Sequence, residues 1–123
     1  MDQRVRLITH KGKDILFADY SGLNGSDYLS VLELTMEKYR KLIPPKKKSG
    51  LLLIDNTNSS LGDEQLVQLK QNINKLKDHV IGIAALGLDG LKKYFFDVLK
   101  SKYISNIKGF ESAEDAKDWL VDL

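Results

Sequence analysis

The chain has 123 residues, 42% hydrophobic and 29% charged with two prolines, a composition that excludes disordered and fibrous classes and supplies apolar surface for one core. Its 19 basic and 17 acidic side chains leave a net charge of +2, too weak a global field for a dedicated nucleic-acid binder, so electrostatic recognition has to be local. No cysteine is present, which excludes disulfides, thiolate metal sites and cysteine nucleophiles and makes a reducing cytoplasm the expected compartment.

The start, Met1 to Arg6, lacks the apolar core of a signal peptide, and no apolar run approaches the ~20 residues a bilayer span needs; neither export nor a membrane span is expected. Val5-Arg6-Leu7-Ile8, a turn at His10 to Asp14 containing Gly12, and Ile15 to Tyr20 predict an antiparallel hairpin. The turn formers Ser21 to Gly25 follow, with Asn24 or Ser26 as the cap of a first helix. Tyr28, Leu32, Thr35, Met36, Tyr39 and Leu42 or Ile43 recur at helical spacing until Pro44-Pro45 forbids continuation, so this helix ends near Leu42.

Leu51-Leu52-Leu53-Ile54 is wholly apolar and short, the pattern of a strand covered on both faces. Leu66, Leu69, Ile73 and Leu76 form the apolar face of a second helix, opened by Asp63-Glu64 and closed by Lys75, Lys77 and His79 in keeping with the helix dipole. Val80 to Leu86 is a second buried strand, and Gly87-Leu88-Asp89-Gly90 turns it into a third helix carrying Leu91, Tyr94, Phe95, Val98 and Leu99. A short edge strand near Ile107 and a last helix complete the chain. Ser112-Ala113-Glu114-Asp115 resembles a capping box, and Ala116, Trp119 and Leu120 face inward with Trp119 as a core anchor.

Helices and central strands thus alternate after one hairpin, the order of an α/β fold. Right-handed crossovers put parallel strands at the centre of a small mixed sheet. Neither an internal repeat nor a long linker divides residues 1–123, which read as a single domain.

Catalytic equipment is sparse. His10 lies in a hairpin turn and His79 at a helix end, without metal-ligand spacing. Asp19 and Asp55 both end strands; a carboxylate pair for hydrolysis is one reading, and local capping or turn bonding is the favoured one. Gly82, Gly87 and Gly90 do not form a dinucleotide or Walker fingerprint. The helix after Gly90, with Lys92 and Lys93, is a candidate anion site whose plainer alternative is a turn. Lys38, Arg40, Lys41, Lys46, Lys47 and Lys48 gather around one helix end, where cations relieve the dipole; contact with acidic lipid or nucleic acid is the alternative. Of Tyr94-Phe95-Phe96, two rings fit inward and the third lies at the flank, open to a ligand or to self-association. No cofactor is expected.

Three phrases occur in order along nearly the whole chain: His10-Lys11-Gly12-Lys13-Asp14-Ile15-Leu16-Phe17-Ala18-Asp19-Tyr20-Ser21-Gly22-Leu23, Leu51-Leu52-Leu53-Ile54-Asp55-Asn56-Thr57-Asn58, and Phe110-Glu111-Ser112-Ala113-Glu114-Asp115-Ala116-Lys117-Asp118-Trp119-Leu120. Together they resemble the SpoIIAA-like family of small STAS-type domains. The resemblance implies a mixed sheet of four to five strands, with an N-terminal hairpin, central parallel strands and about four helices packed mainly on one side. It also implies a regulatory protein partner, met through the loop after the central strand and gated by serine phosphorylation. The matching loop is Asp55-Asn56-Thr57-Asn58-Ser59-Ser60-Leu61-Gly62, with Asp55, Asn56, Thr57, Asn58, Ser59 and Ser60 as the candidate interaction residues; it carries two serines but not an Asp-Ser-Ser-Gly-Leu order.

The same group resembles CRAL-TRIO lipid-binding domains in fold. This implies an alternative, a small apolar ligand or lipid held beside Gly87, Gly90, Tyr94, Phe95, Phe96, Val98 and Leu99. The expected function is therefore non-catalytic binding or regulation, with specific nucleic-acid binding and a membrane span not expected. An edge strand or the aromatic flank leaves a homodimer open.

Overall fold

The computed structural model describes residues 1–45 and 48–123. Val5–His10 (β1) and Lys13–Asp19 (β2) pair antiparallel. The two residues between them, Lys11 and Gly12, have φ of 51° and 80°, the left-handed pair that a two-residue hairpin turn demands. Gly25–Leu42 (α1), Gly50–Asp55 (β3), Asp63–Leu76 (α2), Val80–Leu86 (β4), Gly90–Lys102 (α3), Ile107–Phe110 (β5) and Ala113–Val121 (α4) follow. The strands lie in the order β1-β2-β3-β4-β5, with every pair after the hairpin parallel.

This order explains the layers. Each crossover from β2 to β5 steps in one direction, and right-handed connections that all step the same way place α1, α2 and α3 on one face. Leu16, Ala18, Leu52, Ile54, Ile83 and Ala85 form the main core with these three helices. α4, which follows the edge strand, folds back over the opposite face onto Ile15, Leu51, Leu53, Ala84 and Leu86. Both faces of β3 and β4 are covered, which is why their sequences are apolar without alternation.

Several local expectations are refined. Asn24 holds the cap position of α1 without a side-chain cap bond, and Ser26 lies inside the helix. Beyond Leu42, Ile43 donates its amide to the Tyr39 carbonyl before the diproline stops the helix. At α4, Ser112 Oγ accepts from the Asp115 amide at 3.3 Å. Ala116 and Leu120 are fully buried and anchor that helix, whereas Trp119 is half-buried and leans on Phe110 with ring centroids 5.5 Å apart. The hairpin grips α4 through polar contacts: His10 Nε2 and Lys11 Nζ lie 2.7 and 3.0 Å from Asp118 Oδ1, and Lys13 Nζ donates to the Val121 carbonyl.

Candidate functional site

Three loops meet where β2, β3 and β4 end. Backbone bonds tie them: Tyr20 donates to the Asp55 carbonyl, Gly22 to Thr57, Asn56 to Leu86 and Ser60 to Leu23, all at 2.9–3.0 Å. Gly87, at φ 72°, completes the junction, because any Cβ there would run into the Thr57 backbone.

Asp19 and Asp55 stand opposite each other in the β2–β3 register. Each carboxylate accepts the amide two residues on, Ser21 for Asp19 and Thr57 for Asp55, both at 2.9 Å. The two aspartates therefore shape Asx turns, the favoured sequence reading. Arg4 reinforces the first turn: its Nη1 donates to the carbonyls of Asp19 and Ser21 and lies 3.8 Å from the Asp19 carboxylate.

Beneath the middle loop lies a polar network inside the core. Tyr28 donates its hydroxyl to Asn56 Oδ1 at 2.5 Å, and its ring stacks on Tyr20 with centroids 4.7 Å apart. Thr35 gives its own proton to the Val31 carbonyl, so Tyr20 is the donor in the 2.6 Å bond between their hydroxyls. Burial drives both phenols well above the ordinary tyrosine range, and for Tyr28 the neighbouring Tyr20 adds to the shift. They act as neutral structural donors. Asn56 is fully buried, and its Nδ2 has no partner among the described residues.

The six loop residues singled out from sequence come together, but on two levels. Thr57, Asn58 and Ser60 are exposed, and Asp55 is half-buried. Ser59 is buried, with its hydroxyl donated to the Asn56 carbonyl at 2.8 Å. Lys92 closes the arrangement from α3: Nζ donates to the carbonyls of Asn56 (2.9 Å) and Ser59 (3.2 Å) and lies 3.6 Å from the Asp89 carboxylate. The Lys92 ammonium is thus committed to loop carbonyls, which favours the plain turn over the anion site as the reading of this segment.

The seven residues assigned to a ligand pocket differ in their surroundings. Phe96 and Leu99 are core residues, Phe95 and Val98 are half-buried, and Tyr94 is 67% exposed on the far side of α3. Gly90 is exposed, and Gly87 belongs to the loop junction. A cavity of about 270 Å³ lies between α3 and β5 and takes only Phe96 from that set, alongside Leu88, Lys93, Asp97, Phe110 and Glu111. Leu91, which the third helix also carries, is 85% exposed.

The basic cluster also disperses. Lys38 Nζ donates to the carbonyls of Asp2 and Val5, Lys41 pairs with Glu37, and Lys48 donates to the Lys77 carbonyl. Lys46 and Lys47 lie outside the described residues. Sequence reasoning missed the Tyr28–Asn56–Lys92 network. Its one local signal was an asparagine directly after an apolar strand; the partners stand 28 and 36 positions away.

Among the described residues, no group of three histidine or acidic side chains stands close enough to hold a metal ion, and no helix is long and apolar enough to cross a membrane. The chain is similar to the crystal structure of an uncharacterized protein from the DUF3478 family with a SpoIIAA-like fold from Shewanella loihica PV-4. The TM-score is 0.74 at 22% identity, over 94% of this chain and 91% of that one. At this identity the likeness carries the fold, and the chain has the SpoIIAA-like α/β architecture implied by its ordered phrases. No family model and no curated protein matches the chain.

Proposed function

We propose that the chain is a non-catalytic binding or regulatory module that meets a protein partner through residues 55–62, residues 87–90 and the adjoining α3. The observation that carries this reading is the two-level loop after β3. Asn56 and Ser59 are held from below by Tyr28 and Lys92, while Thr57, Asn58 and Ser60 are offered to solvent. A loop ordered in advance loses little conformational freedom on binding, which favours its use as a recognition surface.

Ser60 is the residue we assign to regulation. Its side chain is exposed, whereas the Ser59 hydroxyl is spent inside the loop. A phosphate adds about −1.5 to −2 charges, enough to reverse the preference of a contacting surface. In this reading the module works in a reducing cytoplasm, in keeping with a chain that has no cysteine. The test is quantitative partner capture from lysate of the source cells on immobilised wild type and Ser60→Asp. At least one protein should change in recovery; identical recoveries would remove regulation at this loop.

A second reading, carriage of a small apolar ligand or lipid beside α3, draws on the cavity between α3 and β5 and on the exposed Leu91 and Tyr94. Native mass spectrometry separates the two: a carried ligand adds mass to gently purified protein, and a homodimer formed through an edge strand doubles it.

A further inference from the structure

At the other end of the sheet, below the starts of β3 and β4, a hollow of about 350 Å³ opens between the carboxyl-terminal ends of α1 and α2. Its floor includes the buried Tyr39, Ile43 and Leu76. Tyr39 can lie there because Gly50 has no side chain: a Cβ would collide with the tyrosine hydroxyl. Around the floor stand Arg40, Lys75 and His79, all exposed. None of these three side chains makes a hydrogen bond or ion pair among the described residues, unlike Lys38, Lys41, Lys48 and Lys92.

Among the described residues, no acidic one lines the hollow. The adjoining groove between α1 and α2 shares Met36, Arg40 and Lys75 with it and adds Glu33 and Glu64, so positive charge is concentrated at the hollow's end. Cations near helix carboxyl ends relieve the dipole, which accounts for Arg40 and Lys75 as charges but not for the apolar depression they surround. An apolar floor with a few convergent polar groups is the usual construction of a small-molecule site, and the volume falls at the lower end of the usual ~300–1,000 Å³ range.

We propose that this hollow binds a small amphipathic organic anion, its apolar body on Tyr39, Ile43 and Leu76 and its carboxylate or phosphate head among Arg40, Lys75 and His79. The site is separate from the loop surface, because His79 and Ile43 precede β4 and β3 whereas that surface follows the strand ends. Arg40 suits either head through its forked donors.

The experiment is a titration of the labelled protein with octanoate and with octyl phosphate, each below its micellar concentration and at low salt, followed by amide and methyl NMR shifts. Octylammonium supplies the same tail with the opposite charge, and acetate the head without a tail. At least one anion should shift signals of Ile43, Leu76 and His79 with saturation, while the two controls should not. Arg40→Gln with Lys75→Gln, checked as folded by its own spectrum, should weaken that binding at least about tenfold, a loss of about 1.4 kcal/mol. Three results would overturn the proposal: no saturable shift with either anion, equal binding of octylammonium, or shifts that gather on α3. The last would instead support the carrier reading above.

Discussion

The hydroxyl of Tyr28, in the first turns of α1, donates a 2.5 Å hydrogen bond to the side-chain oxygen of Asn56, the residue that follows β3, and both side chains are fully buried. This bond joins the helix layer to the exposed loop. Tyr28→Phe keeps the ring stack on Tyr20 but leaves the buried amide oxygen only the long 3.4 Å contact from the Ser59 hydroxyl, at a cost of about 1–3 kcal/mol. Urea unfolding should show that loss, and the amides of Ser59 and Ser60 should exchange faster in the variant.

Lys92 acts on the same loop from α3. Its side chain is only 12% exposed and its ammonium serves two carbonyls. Lys92→Met keeps most of the buried stem and removes both charge-assisted bonds, so the loss should be about 1.5–3 kcal/mol. Hydrogen exchange should rise most at residues 56–60, with the β3 amides kept protected. Uniform acceleration across the sheet would show that Lys92 supports the whole fold instead.

The two serines should respond differently to negative charge. Ser60→Asp changes an exposed position and should leave stability within about 0.5 kcal/mol of wild type. Ser59→Asp forces a larger charged group into a buried site and breaks the bond to the Asn56 carbonyl, so it should lower the melting temperature clearly. Parallel thermal melts check the contrast, and equal melts would refute the two-level description of the loop.

Gly87 tests the junction between the second and third loops. Its φ of 72° is strained for a side chain, and the new methyl would meet the Thr57 backbone, which cannot swing aside as a side-chain tip can. Gly87→Ala should therefore destabilise by more than the ~1 kcal/mol expected of the conformation alone. Gly22→Ala, at φ 71° with open space around the added atom, supplies the comparison and should cost less in the same denaturant titration.

Asp118 gives the acid side of the stability profile. The bond from His10, then that from Lys11, hold its carboxyl below the usual aspartate value of 3.8. The folded chain thus binds this proton more weakly than the unfolded chain does. The resulting stabilisation is complete above the unfolded value and is lost as pH falls through the folded one. Asp118→Asn should be less stable than wild type at pH 7, and the difference should close towards pH ~2. Urea midpoints across that range measure it.

The apolar runs Leu51 to Ile54 and Val80 to Leu86 were readable as strands because burial on both faces removes alternation from the sequence itself. Hairpin, helix spacing and the stop at Pro44-Pro45 were readable for the same kind of reason: each is a local constraint of sterics or periodicity. The loop Asp55 to Ser60 was located from the strand that precedes it, and the Asx turns of Asp19 and Asp55 from residue type alone.

Adjacent serines look alike in sequence, yet Ser59 turns its hydroxyl inward while Ser60 stays exposed, with Lys92 and Leu23 each bonding the loop backbone from outside it. Leu91, Tyr94, Phe95, Val98 and Leu99 of α3 share helical spacing but separate into core, margin and surface, because the sheet leaves only part of the helix covered. The sequence by itself determined the elements, their order and the end of the sheet where the loops gather, since these follow from local pattern and the handedness of crossovers. Tertiary structure alone decided which hydroxyl is free, which lysine is spent and which cations stand unpaired around a hollow, because each depends on groups brought together from distant parts of the chain.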